Sequence, residues 1–190
     1  MARILIALLS LLAAFLAAPA LSECNSAPSY WTEETGSNIV ELEHWVVASI
    51  VERNQCWLYS NPIKSKIDNQ GALEEFCRGA SRLTINFLPS SDINGELSYE
   101  SGYHFGPSAE LLLKTENLTL NLPFRDNGIA WTSSKNDDET VISQFGSNKY
   151  VAVSGTAESS VQVNDIFSLS GFAEALNRAK VECGLIDLMS

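Results

Sequence analysis

The stretch of sequence that decides the fold class is RLTINFLPSSDINGELSY, residues 82–99. Apolar and polar side chains alternate with a period of two from Arg82 to Leu88, which is the pattern of a β-strand with one buried face. Pro89 ends this strand because proline has no backbone N–H to donate to a neighbouring strand. Asn94-Gly95 favours a hairpin turn, so the segment predicts two antiparallel strands, the second beginning at Glu96.

Short apolar segments of the same kind recur on both sides of this hairpin. They predict strands over Trp45–Val51, Cys56–Ser60, Leu111–Lys114, Leu118–Leu122, Ile129–Thr132, Tyr150–Thr156 and Val161–Phe167. Residues 61–71 carry turn residues and charges and are predicted to be a loop. Many short strands separated by turn signals are typical of a sandwich. The sequence therefore predicts a mainly β protein, an immunoglobulin-like antiparallel β-sandwich with a short internal helix and a C-terminal helix.

The internal helix is predicted from charge. The acidic residues Asp137, Asp138 and Glu139 suit the positive end of a helix dipole, and an apolar segment follows as far as Phe145. Gly146 is expected to end this helix.

The C-terminal helix is predicted over residues 171–182, with Ser170 as its N-cap. Its apolar face comprises Phe172, Leu176, Ala179 and Cys183, which are spaced as one side of a helix requires. The position of Cys183 on that face suggests a disulfide between the helix and the sheets.

Residues 1–22 are expected to be a cleavable signal peptide. Arg3 precedes an apolar run from Ile4 to Ala18, and small residues then allow cleavage after Ala20 or Ser22. The alternative, a membrane anchor, needs about 20 apolar residues, and this run is shorter. A lipoprotein is disfavoured because charged Glu23 precedes Cys24. We expect a periplasmic or secreted protein without integral membrane insertion, with an N-terminal extension over 23–43 and one domain over 44–190.

Composition limits the classes of partner. The 190 residues contain 45% hydrophobic and 18% charged side chains, which excludes a disordered or collagen-like chain. Residues 1–22 carry one of the 12 Lys+Arg and none of the 23 Asp+Glu, so the remaining 11 basic and 23 acidic residues give a net charge of −12. Such a chain repels phosphate groups, and nucleic acid is not an expected partner.

The four cysteines predict disulfides, because an even number in an exported protein is typical of a disulfide framework. Three pairings are open for Cys24, Cys56, Cys77 and Cys183. The chain has no C-x-x-C motif, and a zinc site using these cysteines with His44 or His104 would lack a local ligand pair.

No catalytic motif stands out, so neither an enzyme nor a cofactor is predicted. The nucleophile elbow and the glycine-rich phosphate loops are absent from the sequence. An acidic-pair hydrolase could use Glu96 with Glu100, or Asp137 with Asp138, if two carboxylates met in a cleft. The same acidic triplet could take calcium, although it shows few oxygen ligands.

Aromatic residues supply the candidate binding surfaces. Tyr103, His104 and Phe105 form a candidate binding loop, whose alternative is a packed connection between strands. Trp31, Trp57 and Trp131 could form a sugar-binding face, but Trp57 and Trp131 lie in apolar strands and are expected in the core. His44 is interpreted as a strand-edge residue. An unknown protein or glycan is therefore the expected partner.

These segments, read together, resemble the invasion-associated locus B (IalB-like) family of exported alphaproteobacterial proteins. The resemblance covers roughly residues 44–183. It is carried by Cys56-Trp57-Leu58-Tyr59-Ser60, Arg78-Gly79 before the strand Leu83–Phe87, Gly95–Ser98, Ser101–Pro107, Ala130-Trp131, and Asp165–Phe172 before the last helix and Cys183.

The resemblance implies a small β-sandwich in the periplasm or cell envelope, and it implies that Cys56 pairs with Cys183. Cys24 would then pair with Cys77, although the family pattern requires a cysteine at neither place. In pathogenic relatives the family is linked to entry into host cells. No catalytic residues come with the motif, which favours a non-enzymatic binding or envelope-associated protein.

Overall fold

The protein is mainly β, and two antiparallel sheets form a sandwich-like arrangement with two helices. The computed structural model describes residues 38–69 and 76–186. The predicted signal peptide, Cys24 and Trp31 lie outside these ranges. No helix among the described residues has both the length and the apolar character needed to cross a membrane.

One sheet has seven strands and the other has five. The strands are β1 Asn38–Leu42, β2 Trp45–Ile50, β3 Gln55–Ser60, β4 Lys64–Asp68, β5 Arg82–Leu88, β6 Ile93–Glu100, β7 Leu112–Lys114, β8 Thr119–Asn121, β9 Phe124–Asp126, β10 Ile129–Trp131, β11 Tyr150–Thr156 and β12 Gln162–Ser168. The seven-stranded sheet has the order β1-β2-β3-β5-β6-β10-β9, and the five-stranded sheet has the order β4-β12-β11-β7-β8. The helices are α1, Lys135–Phe145, and α2, Phe172–Glu182. The predicted fold class is thus confirmed.

The hairpin β5–β6 forms where the sequence predicts it, but its turn lies elsewhere. The turn is a single 3-10 turn over Pro89–Ser91, which Asp92 closes in the left-handed conformation. Asn94 and Gly95 lie inside β6, opposite a register shift in β5. Gly95 has φ +120°, which disfavours any residue with a side chain, so the glycine serves a bulge rather than the turn.

Besides β9, two further segments are strands that the sequence did not predict. Lys64–Asp68 pairs with β12, so the predicted loop over 61–71 is wrong for these residues. Asn38–Leu42 pairs with β2, and the sandwich therefore includes residues assigned above to the N-terminal extension. Both are edge strands whose side chains are largely exposed, which removes the apolar alternation that identifies a half-buried strand.

Trp45 closes one end of the core between the sheets and the helices. Its ring is fully buried, and its indole N–H donates to the carbonyl of Ser168 at 3.0 Å. The ring of Phe172 packs against it edge-on, with centroids 5.0 Å apart, and Phe145 lies 6.4 Å away. The two helices thus meet the sheet at one aromatic cluster.

The start of α2 differs from the prediction. Gly171 occupies the N-cap position with φ +83°, and a Cβ there would lie 2.4 Å from the carbonyl oxygen of Leu42. No side chain caps the helix, and the hydroxyl of Ser170 instead donates to Glu43. The predicted cap is wrong because the tight contact with the β1–β2 turn leaves room only for glycine.

A disulfide joins Cys56 in β3 to Cys183 at the end of α2. This is the pairing that the family resemblance implies. Both cysteines are buried, and 127 residues separate them in sequence. Cys77 is also disulfide-bonded, but its predicted partner Cys24 lies outside the described residues, so that pairing stays a prediction.

Candidate functional site

A groove with a volume of about 520 Å³ lies where the start of β6 meets β9, β10 and the start of α1. We call it the acidic–aromatic groove. The described residues that line it are Asp92–Glu96, Phe124, Trp131–Lys135, Asp138 and Glu139. Its volume lies within the range of about 300–1,000 Å³ that is typical of small-molecule sites.

Two aromatic rings form one wall of the groove. Trp131 in β10 and Phe124 in β9 are direct partners across the two strands. Side chains of such partners point to the same side of the sheet, with Cβ atoms about 4.5–5.5 Å apart. Phe124 is 59% exposed, the highest exposed fraction among the large hydrophobic side chains that the structure describes. The two side chains are therefore neighbours on one face of the sheet, where both line the groove.

Carboxylates also line the groove, and its geometry separates both of the predicted acidic pairs. Glu96 and Glu100 lie four residues apart on one strand, roughly 13 Å along its axis. Asp137 accepts hydrogen bonds from Ser133 and Ser134 at the helix start, whereas Asp138 points away from it into the protein. The structure instead brings Glu96 and Asp138, one member of each pair, into the same groove.

Asp138 fixes the position of α1 against β6. Its Oδ1 accepts the backbone N–H of Leu97 at 2.9 Å and the hydroxyl of Thr132 at 2.7 Å. The helix itself begins at Lys135 because the hydroxyl of Ser134 accepts the N–H of Asp137, an N-cap bond. The acidic first turn was correctly predicted, but the inward role of Asp138 was not.

The surroundings of Glu96 and of Asp138 disfavour the ionisation of each carboxyl group. Burial, followed by the charge of Asp138, raises the pKa of Glu96 above its usual value. Burial also raises the pKa of Asp138, and the charges of Asp137 and Glu139 add to this, although the two hydrogen bonds to Asp138 act in the opposite direction. The groove thus contains two acidic side chains that are both partly shielded from water.

Replacing Asp138 by Ala is expected to lower the free energy of unfolding by about 2–3 kcal/mol, because it leaves the Leu97 N–H and the Thr132 hydroxyl without their buried acceptor. Asp138→Asn is the matched control. Its side-chain oxygen can accept both bonds, so we expect a loss below about 1 kcal/mol. Urea unfolding of the three proteins measures the difference, and equal losses for both variants would contradict this role.

A second polar cluster is buried between the sheets. Asp165 is fully buried, and its carboxylate accepts hydrogen bonds from Arg78, which pairs with both of its oxygens. Ser65, Ser81 and Tyr99 donate to it at 2.7, 2.8 and 2.7 Å. Burial alone would raise the pKa of Asp165, but Arg78 and the hydroxyl groups hold it below its usual value. A carboxylate so fully used is structural and has no capacity left for a ligand.

The predicted binding loop is mostly packed against this cluster. Tyr103 is buried, with Phe76, Phe105 and the guanidinium of Arg78 each within 6 Å of its ring centroid. Burial raises the pKa of Tyr103 to about 12, so its hydroxyl stays protonated. This favours a packed connection for Tyr103. His104 and Phe105 are half-buried, and a binding role for them stays a prediction.

Of the remaining candidates, Trp131 lines the groove, whereas His44 and Trp57 do not. His44 is exposed in the turn between β1 and β2 rather than at a strand edge. Trp57 and Trp131 are half-buried on the outer face of the seven-stranded sheet, so the expectation that both belong to the core is wrong. Two strands separate them, a spacing of roughly 14 Å. Within residues 38–69 and 76–186, no three His, Cys, Asp or Glu side chains are placed to hold a metal ion.

The sequence does not indicate Phe124 as a site residue, because a three-residue strand with exposed side chains shows no alternation of apolar and polar residues. The nearest signal was the turn Asp126-Asn127-Gly128, which places a short strand on each side.

No protein-family model, curated protein or solved structure matches this chain.

Proposed function

We propose that this chain is an exported envelope protein of the invasion-associated locus B type, which binds a saccharide non-covalently in the acidic–aromatic groove. The observation that carries the proposal is the pairing of exposed Phe124 with half-buried Trp131 beside carboxylates in one concavity. Aromatic rings stack on the apolar faces of sugar rings, and carboxylates accept hydrogen bonds from sugar hydroxyls. The groove offers both kinds of group.

Export is supported by the N-terminal segment and by the disulfide between Cys56 and Cys183. Residues 1–22 carry the pattern of a signal peptide. The Cys56–Cys183 bridge is compatible with an oxidising compartment such as the periplasm, where disulfides persist. The family resemblance places relatives in the same compartment. A role in host-cell invasion rests on that resemblance alone.

A hydrolase acting through Glu96 and Asp138 is the second candidate, since two carboxyl groups with raised pKa values in a groove suit acid–base chemistry. The hydrogen bonds to Asp138 favour binding instead. They hold one of its oxygens to Leu97 and Thr132, which fixes the helix and limits access to substrate. Release of reducing ends from an oligosaccharide incubated with the protein, abolished by Glu96→Gln, would support the hydrolase.

Replacing Phe124 by Ala is expected to weaken saccharide binding about tenfold, because it removes half of the aromatic wall. Isothermal titration against a panel of neutral and charged oligosaccharides measures the affinities. Tyr150→Ala is the matched control. Tyr150 is 55% exposed, close to the 59% of Phe124, but it lies in the other sheet.

Tyr150→Ala is expected to bind like the unmodified protein. The proposal is overturned if no oligosaccharide in the panel binds, or if the Phe124 and Tyr150 variants lose affinity equally. Thermal unfolding of both variants checks that neither substitution disturbs the fold.

A further inference from the structure

The charges in the acidic–aromatic groove are unbalanced. Among the described residues that line it, the acidic ones are Asp92, Glu96, Asp138 and Glu139, and the basic one is Lys135. Lys135 is exposed, and no ion pair joins it to these carboxylates in the described part of the chain. A concavity lined by one sign of charge concentrates ligands of the opposite sign.

Glu96 is the carboxylate best placed to meet a ligand. It is half-buried at the groove wall, and its side chain makes no hydrogen bond or ion pair with any other described residue. Asp138, by contrast, is 7% exposed and already accepts two hydrogen bonds. A partly desolvated carboxylate without a partner gains more from a cation than a solvated one, because the local dielectric screens the attraction less.

Accordingly, we infer that the saccharide carries a free ammonium group, which Glu96 binds while the rings of Trp131 and Phe124 stack on the sugar. This inference rests on the proposed saccharide function. An amino sugar presents an ammonium group beside an apolar ring face, which matches a groove lined by both aromatic rings and carboxylates. The ammonium also offsets the negative charge of Asp138, which acts on Glu96 in the same groove.

The test compares two probes that differ only in the group on the sugar nitrogen, an amine or an acetamide on each of four rings: the tetramer of glucosamine and the tetramer of N-acetylglucosamine. Titration at neutral pH is expected to show at least about tenfold tighter binding of the amine form, the value of one charge-assisted hydrogen bond. Glu96→Gln is expected to reduce this ratio of affinities towards one. Glu158→Gln, which removes an exposed carboxylate in the turn between β11 and β12, is expected to leave the ratio unchanged.

Each other outcome has a separate meaning. Equal binding of both tetramers overturns the ammonium inference and leaves the saccharide proposal standing. Tighter binding of the amine form that is insensitive to Glu96→Gln also overturns the inference, since general attraction to an acidic protein would then explain it. Binding of neither tetramer, nor of any sugar in the panel, overturns the proposed function together with the inference.

Discussion

Replacing Asp165 by Ala is expected to lower the free energy of unfolding by about 3–5 kcal/mol, one of the two largest losses that we expect from a substitution in this protein. The substitution leaves the guanidinium of Arg78 without its buried partner, and it removes the acceptor of Ser65, Ser81 and Tyr99. A buried charge without a counter-charge costs far more than the pair itself contributes. Urea unfolding monitored by circular dichroism measures the loss.

Arg178→Ala is the control for this prediction. Arg178 forms an ion pair with Glu182 along α2, but its side chain is 48% exposed, and such pairs contribute at most about 1 kcal/mol. A similar loss for the two variants would contradict the special role of the buried network. Should Asp165→Ala fail to fold, Asp165→Asn retains an acceptor for the hydroxyl groups and is expected to fold with reduced stability.

The same network predicts a dependence of stability on pH. The pKa of Asp165 is lowered in the folded state, so its contribution to stability is fully present above the usual aspartate pKa of about 3.9. That contribution is lost as the pH falls through the lowered folded value. Asp165→Asn, which does not titrate, is expected to lack this part of the acid destabilisation. If the variant loses stability at low pH as strongly as the unmodified protein does, other carboxylates cause the acid destabilisation.

Removing the Cys56–Cys183 bridge has the second large expected effect. Substitution of both residues by Ala is expected to cost about 4–5 kcal/mol, because the unfolded chain regains the entropy of a loop closed over 127 residues. Substitution is preferable to a reducing agent here, since Cys77 is also disulfide-bonded and a reductant would act on both bridges. Urea unfolding under non-reducing conditions measures the change.

The single variants separate the cross-link from packing. Loss of the cross-link alone makes Cys56→Ala nearly as costly as the double variant, because either substitution opens the loop. If the cost came from lost contacts in the core, the costs of the two single variants would instead add up to the cost of the double variant. Additive costs, or a double variant within about 1 kcal/mol of the unmodified protein, would therefore contradict the loop-closure account.

The local pattern of apolar and turn residues is sufficient to predict where the strands with one buried face lie. β5, the hairpin β7–β8 and the pair β11–β12 lie where apolar alternation and turn residues predict them. Pattern failed for β1, β4 and β9, whose side chains are mostly exposed at sheet edges. An edge strand is held by backbone hydrogen bonds to one neighbour, and these leave no trace in side-chain hydropathy.

The candidate site was only half predictable. The sequence indicates Glu96, Asp138 and Trp131 as candidates, but it pairs each of them with residues other than those it meets in the groove. Neighbours in sequence were paired as acids, whereas the groove takes one acid from a strand and one from a helix 42 residues later. Trp131 was expected in the core because it lies in an apolar strand, yet the register of β10 turns it outward beside Phe124.

The sequence by itself determined the fold class, the two helices and the acidity of the protein, because each depends on local periodicity, capping residues or composition. Tertiary structure decided three further features: the partner of Cys56, the burial of Asp165 beside Arg78, and the meeting of Glu96 with Asp138. Each depends on residues that are distant in sequence and become neighbours only when the sheets and helices pack, which no local pattern specifies.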